Sequence, residues 1–384
     1  MFSNTSLELT RSISKIDKKN QGIFFTPKSI VLQTISSLPF DFEFNTILEP
    51  SCGSGEFIDE LVKFNKTITG IEYNKEIYYE IKDNFSGVEI LNDNFLNHDK
   101  KYDLIIGNPP YYVMKKSNIH ETYSQYINGR PNIFVLFILH SLHLLNPNGI
   151  ISFVVPNSFL NCLYYNRVRK LIYDEYTVVD IVSCEGGFID TKQTTIILTI
   201  QNKLGDNDGF TTIFDRYYIF NSKDNTKQIK KLIKGSTTIN KLGGVVTVGN
   251  IVWNQVKNEL TDDNTKTRLI YSGDIINNTL GFVNHTNNEK KKYINRNGFN
   301  DDVIIVNRGY GSSKYDFKFC RIDIQGKYLL ENHLLNIKGV NNQMIINSFN
   351  NKKTIEFINL FFGNNAINAT ELCYMFPIFN SPSL

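Results

Sequence analysis

Apolar positions recur at helical spacing after Thr26-Pro27 (Ile30, Val31, Ile35, Leu38), with Thr34 on the same face, and then contract into a short strand ending at Leu48. A Gly-rich turn, Cys52 to Gly55, opens a second helical pattern (Phe57, Ile58, Leu61, Val62), and branched residues fill a strand from Thr67 to Glu72. The pattern then predicts a helix over Lys75 to Asn84 and strands over Val88 to Asn92 and Tyr102 to Gly107. A helix over Ile133 to Leu145 follows, leading through the turn Asn146-Pro147-Asn148-Gly149 into a strand over Ile150 to Val155. Strands that are almost continuously apolar and separated by helices indicate a parallel sheet covered on both faces. The fold class expected is α/β: a doubly wound, mostly parallel sheet.

Periodicity weakens after about Asn202, and the following stretch is rich in Asn, Lys, Thr and Gly. We place a catalytic domain over residues 1–235 and a smaller α+β domain over 236–384, in keeping with a working domain size of roughly 150 residues. From Arg216 to Asn300 there are 14 Lys and Arg against 6 Asp and Glu, a local net charge of +8 in a chain whose total is +3. The rest of the chain is therefore net acidic, and the concentrated basic charge has the form of a nucleic-acid footprint or of a solvated lysine-rich face.

Apolar residues are 41% and charged residues 21% of the chain, which excludes disorder as its main state. The five cysteines are scattered without a CxxC pair, so neither a zinc ribbon nor a secreted disulfide framework is expected. No leader is apparent, and the most apolar run, Ile133 to Leu145, is shorter than the roughly 20 residues of a membrane span. The expected setting is cytoplasmic, without a membrane.

Two constellations carry chemistry. In the first, Glu49-Pro50-Ser51-Cys52-Gly53-Ser54-Gly55 places an acid at a strand end and two glycines in the turn that opens a helix. Ligands of open α/β sheets sit outside the carboxyl ends of the strands, where Gly allows close backbone approach. The dinucleotide fingerprint needs a third small residue, but that position is Ile58, and Glu49 would repel a pyrophosphate. Glu72 closes the next strand, placed to accept from ribose hydroxyls, and Asp93 follows the third, placed to accept from an adenine amine. Acids without a phosphate cradle suit S-adenosylmethionine, which is cationic and carries no phosphate.

In the second, Leu104-Ile105-Ile106-Gly107 delivers Asn108-Pro109-Pro110-Tyr111 to the same sheet edge. Two prolines make a rigid turn poor in N–H donors and rich in carbonyl acceptors. An exocyclic adenine amine is a weak nucleophile because its lone pair is conjugated with the ring. Acceptance of its two N–H groups by the Asn108 side-chain oxygen and the Pro109 carbonyl would turn the lone pair toward a methyl donor, with Tyr111 stacked on the base.

These motifs, together with Phe25-Thr26-Pro27 and Phe153-Val154-Val155-Pro156, occur in the order seen in the γ class of adenine-N6 DNA methyltransferases, and the chain resembles the TaqI-type enzymes over about residues 20–200. A fainter likeness to Eco57I-like and PstI-like modification methylases lies in Asn254 to Ile275 and in Glu331-Asn332-His333-Leu334-Leu335. The resemblance implies a class I S-adenosylmethionine-dependent methyltransferase fold followed by a DNA-recognition domain. It implies cofactor contacts by Thr26, Glu49, Pro50, Cys52, Gly53, Gly55, Glu72, Asp93, Phe95 and Asn108. Asn108, Pro109, Pro110 and Tyr111 would be catalytic, and Tyr111 with Phe188 would stack on the target base. Double-stranded DNA is the implied partner, with a cognate restriction endonuclease acting on the same site, and the chain is read as a monomer.

Methyltransferases of glutamine amides in release factors share the tetrapeptide, but they generally carry an N-terminal helical domain. RNA adenine methylation uses compatible residues, and a silent DNA-binding specificity module is the alternative outside enzymes. His140 and His143, three apart on one helix, lack a third ligand and are read as structural, so no metal is expected. Lys314, Arg308 and Arg321 are candidate contacts to phosphate or guanine, and Trp253 is read as core.

Overall fold

The computed structural model describes residues 2–185, 188, 194–284, 286–309, 315–361 and 366–379. Two compact units divide the chain at Lys227 and Gln228.

The first unit begins with helices α1 (Asn4–Ser12), α2 (Lys15–Gln21) and α3 (Lys28–Ser36). Strands and helices then alternate: β1 (Thr46–Glu49), α4 (Glu56–Leu61), β2 (Thr67–Ile71), α5 (Lys75–Ile81), β3 (Val88–Leu91) and β4 (Tyr102–Gly107). A short α6 (Glu121–Ser124) precedes α7 (Ile133–Leu144), β5 (Leu145–Pro156), α8 (Asn166–Glu175), β6 (Thr177–Ser183) and β7 (Thr195–Gln201). A hairpin of β8 (Thr211–Phe214) and β9 (Tyr217–Phe220) completes the strands of this unit.

Strand order in the sheet is β3-β2-β1-β4-β5-β7-β6. Only β7 runs against its neighbours, pairing antiparallel with both β5 and β6. The α/β expectation is thereby met. β5 begins earlier than the apolar run at Ile150 suggests, because Leu145 already pairs with Tyr102 before a register shift. Helix α7 is apolar on every side, and all its residues except His143 are buried. A helix of that kind belongs inside a core rather than on a surface. Its Phe134, Leu136, Ile138 and Leu142 join Leu48, Ile105, Ile151 and Phe153 of the sheet in one cluster. The opposite face packs Ile30 and Val31 of α3 and Phe57 and Leu61 of α4 against Ile47, Leu104, Ile106 and Val154.

The chain winds outward from β1 in one direction and from β4 in the other, so the strand order reverses between them. At such a switch point the loops leaving two adjacent strands diverge to opposite faces and leave a crevice beyond the carboxyl edge. The loops concerned are those after Glu49 and after Gly107.

The second unit is built on a four-stranded antiparallel sheet of Val245–Val248, Leu334–Lys338, Val303–Asn307 and Phe319–Ile322. A smaller sheet joins Leu260–Thr261, Tyr293–Ile294, Thr267–Ile270 and Tyr328–Leu330, and helices Asn342–Phe349, Lys352–Phe361 and Ala369–Tyr374 follow. This is the α+β organisation expected of it. No helix among the described residues is long and apolar enough to cross a membrane.

Candidate active site

A cavity of about 380 Å³ opens at the switch point, within the ~300–1,000 Å³ of small-ligand pockets. It is lined by Pro50, Ser51 and Gly53 from the turn after β1, by Glu72 and Asp93 at the next two strand ends, and by Asn108 and Pro110 after β4. Parts of both constellations therefore meet in one cavity, with Phe95 forming part of its wall, while Glu49, Pro109 and Tyr111 stand outside its lining. The segment Asn20 to Phe25 closes another side, held to the β2 loop by a hydrogen bond from Asn74 Nδ2 to Gln21 Oε1 at 3.0 Å. Gly22 makes this closure possible: it adopts φ +64°, and a Cβ there would lie 2.6 Å from the Tyr111 nitrogen.

The acidic groups differ in how they are held. Glu72 is anchored, its Oε2 accepting from Gly53 N at 2.9 Å and its Oε1 from Asn74 N at 2.7 Å. Burial raises its carboxyl pKa, opposed by those same N–H groups. Asp93 is exposed and accepts from Asn94 N at 2.6 Å. Glu49 is 1% exposed; its Oε1 accepts from Ser51 N at 3.3 Å, while its Oε2 is buried without a hydrogen-bond partner. Burial pushes its pKa up to about 8, with the nearby charge of Glu72 adding to the effect. An orphaned buried carboxylate oxygen is costly unless a cation comes to it. The cationic methionine end of S-adenosylmethionine fits that requirement, and Glu72 and Asp93 fit the uncharged nucleoside end, so the donor set suits this cofactor.

Asn108 is oriented through both ends of its amide. Its Nδ2 donates to the Phe24 carbonyl at 3.2 Å and to Thr26 Oγ1 at 3.0 Å, which turns Oδ1 the other way. Oδ1 accepts from the Tyr111 hydroxyl at 2.5 Å, and the same hydroxyl lies 2.8 Å from the Val154 carbonyl. A carbonyl oxygen has two lone pairs, so one remains on Asn108 Oδ1. Among the described residues no donor meets the Pro109 carbonyl. The Tyr111 ring is half-buried, 6.2 Å from that of Phe24 and edge-on to Phe134 at 6.0 Å.

Several expected residues lie beside the cavity rather than on it. Thr26 acts on Asn108 from a small adjoining cleft. Cys52 is buried, its sulfur seated over Gly70, where a Cβ would come within 2.5 Å of it. Gly55 caps α4 at φ +82° and lies against Phe85. Phe188 is 8% exposed and packs with Ile30, Val31 and Ile197; residues 186–187 and 189–193 on either side of it, and Lys314, lie outside the described residues. His140 bonds to the Tyr123 hydroxyl and the His98 carbonyl.

In the second unit, Arg321 is paired with Asp302, and Arg308 donates to the Asn332 carbonyl. Within the basic run, Lys257 pairs with Glu289, Lys291 with Asp262 and Arg296 with Glu259. Trp253 packs beneath Lys257 and Lys290.

Sequence reasoning passed over Tyr73 and Tyr112, which line the cavity, and Gly107. A Cβ on Gly107 would lie 2.5 Å from Glu49 Oε1, so the absence of a side chain at the end of β4 makes room for the acid at the end of β1. A glycine ending an otherwise branched strand was the available signal.

Residues 11–188 match the Eco57I restriction-modification methylase family. The chain is 29% identical over 381 residues to the Type II methyltransferase M.CvrRI of Paramecium bursaria Chlorella virus XZ-6E, with 94% of each chain covered. It is 32% identical over 218 residues to the modification methylase CviBIII of Paramecium bursaria Chlorella virus NC1A, covering 53% of this chain and 56% of that protein. Against M.AccI of Acinetobacter calcoaceticus the identity is 30% over 230 residues, covering 55% and 43%. The chain thus spans nearly all of the first relative and about half of the other two. Among solved structures, the type IIG restriction endonuclease BpuSI aligns over 94% of this chain and 60% of its own, at 11% identity and a TM-score of 0.43. The resemblance carried by the motifs is borne out at the level of restriction-modification methylases: residues 11–188 match the Eco57I family, and the viral and bacterial proteins that the chain is similar to are Type II methyltransferases and modification methylases.

Proposed function

We propose that the chain is a site-specific DNA methyltransferase acting on adenine N6 in double-stranded DNA, the modification enzyme of a restriction-modification system with a cognate endonuclease. The observation that carries this reading is the Asn108 amide, held through both of its ends in the wall of the cavity that Glu72 and Asp93 also line, and followed by Pro109, whose carbonyl meets no donor among the described residues. When bound there, S-adenosylmethionine supplies an electrophilic methyl group. Asn108 Oδ1 and the Pro109 carbonyl accept the two N–H groups of the adenine amine, which draws its nitrogen out of conjugation with the ring. The Tyr111 hydroxyl keeps the Asn108 oxygen in place, and Thr26 keeps the amide from flipping. Glu49 would hold the ammonium end of the cofactor, and Glu72 and Asp93 would hold the ribose and adenine.

Asn108 cannot reach a base inside the stack, so the adenine must be extruded, at a cost of a few kcal/mol that stacking on Tyr111 offsets. The second stacking face expected of Phe188 is not part of this reading, because its ring is buried against Ile30, Val31 and Ile197. Residues 236–384 serve as the target-recognition domain of a cytoplasmic monomer. Sequencing of DNA from cells expressing the chain, with detection of modified adenines, tests the reading. A single methylated motif supports it; unmodified DNA from cells holding soluble, cofactor-binding protein refutes it.

A further inference from the structure

Immediately after Tyr111 the chain leaves the active site as a closed arm. Its two legs are joined by a bridge between Val113 and Asn132, with Met114 N donating to the Pro131 carbonyl at 2.8 Å and Ile133 N to the Tyr112 carbonyl at 3.0 Å. Residues 115–130 form the arm itself, including α6. Its far side is tied to the start of α8: Arg167 donates to the Gln125 carbonyl at 2.7 Å, and the Tyr164 ring lies so close to Gly129 that a Cβ there would sit 2.3 Å from it. The legs carry Tyr112 and Met114, which line the cofactor cavity, so the neck of the arm stands at the cavity's edge.

Lys115 and Arg130 each stand two residues beyond the Val113–Asn132 bridge, one on either leg and next to the paired Met114 and Pro131, and Lys116 follows in the chain. All three are exposed. Among the described residues none has an ion-pair or hydrogen-bond partner for its side chain. Like charges facing one another across paired strands are destabilising. Glu121 is the one acid in the segment 115–130, and it forms no bridge to them. Three unpartnered cations placed together beside the loop that holds the reacting amine make a site for an anion from outside the chain.

Resting on the adenine reading above, we propose that Lys115, Lys116 and Arg130 grip backbone phosphates of the DNA next to the extruded base. The grip reads no sequence. It holds the strand that has lost its stacked adenine, while the arm's ties to α8 keep the cations from following the DNA away from Asn108. The first unit thereby has a hold on DNA outside the basic run from Arg216 to Asn300.

The test uses the full chain carrying Lys115→Gln, Lys116→Gln and Arg130→Gln together, with binding to a mixed-sequence duplex followed across a salt series. Each lost phosphate contact lowers the slope of log affinity against log salt by ~0.9, so the triple variant is expected to lose about 2 to 3 in slope. Lys115→Arg, Lys116→Arg and Arg130→Lys together keep the charge and should keep the slope, which distinguishes a phosphate grip from a packing role. Calorimetric titration with S-adenosylmethionine verifies that the cavity of the triple variant is intact. If the wild-type chain binds and methylates duplex DNA while the Gln variant retains its slope, the grip is refuted and the adenine reading survives. If the wild-type chain shows no salt-dependent duplex binding, both fall.

Discussion

The loops after β1 and β4 leave adjacent strands at one switch point, yet they are prepared for opposite kinds of partner. The first presents Glu49, an acid buried without a partner for Oε2 and with its pKa raised to about 8, so its charge is uncomfortable until a cation arrives. The second presents neutral acceptors whose orientation is settled beforehand by Phe24, Thr26 and Tyr111. In the proposed reading one loop is completed by its ligand, whereas the other is complete before its ligand comes. Sensitivity to pH should therefore reside in cofactor binding at the first loop, and sensitivity to geometry in methyl transfer at the second.

The sharpest way to break this division is Asn108→Ala. Loss of a preorganised polar group at a reacting centre costs on the order of 10²–10³ in rate, and here one of only two acceptors is removed. Methyl transfer should fall by at least that factor while calorimetric cofactor affinity is retained. Wild-type turnover would remove Asn108 from the chemistry.

Glu49→Gln should come next. A hydrogen bond to a charged group contributes about 1.5–3 kcal/mol, so above pH 8 cofactor affinity should fall roughly 10- to 150-fold. The sign of the pH dependence follows from the raised pKa. Below about 8 the empty site holds Glu49 protonated, and binding a cation must expel that proton. Wild-type affinity should therefore climb by up to about tenfold per unit as pH rises toward 8 and then level off. The Gln variant should lack that climb, and parallel pH profiles for the two proteins would sink the assignment. By the same linkage the buried acid costs stability as pH rises from its unfolded value toward 8.

Tyr111→Phe should have the smallest effect. It removes one hydroxyl that steadies Asn108 Oδ1, a neutral hydrogen bond of about 1 kcal/mol, while keeping the ring. A roughly fivefold loss of kcat is expected by that conversion. Tyr111→Ala should lose much more on duplex DNA and little in binding to DNA with an abasic target; equal losses for the two variants would deny the ring a role.

Much of this was legible beforehand. Unbroken apolar runs such as Leu104 to Ile106 specify buried parallel strands, and the acid-plus-glycine and Asn-Pro-Pro-Tyr segments stand out because they end such runs abruptly with polar and turn-forming residues. Charge was less legible. Counting from Arg216 to Asn300 gives +8, but Lys257, Lys291 and Arg296 face acids within 37 positions along the chain, whereas the smaller group at Lys115, Lys116 and Arg130 is unpartnered. A count registers how many charges exist and not which have partners. The cofactor turn shows a related difference: Cys52 and Gly55 satisfy a motif in the sequence, and in space they pack on Gly70 and Phe85.

By itself, the order of residues determined the alternation of elements and the kinds of side chain at each strand end, because these depend on local periodicity and on side chains a few positions apart. The tertiary structure decided the pairing of Gly107 with Glu49, the passage of Gly22 across Tyr111, and the isolation of Glu49 Oε2. Those are contacts between segments separated by many residues, set by strand order and close packing, and a linear pattern holds no measure of the distance between them.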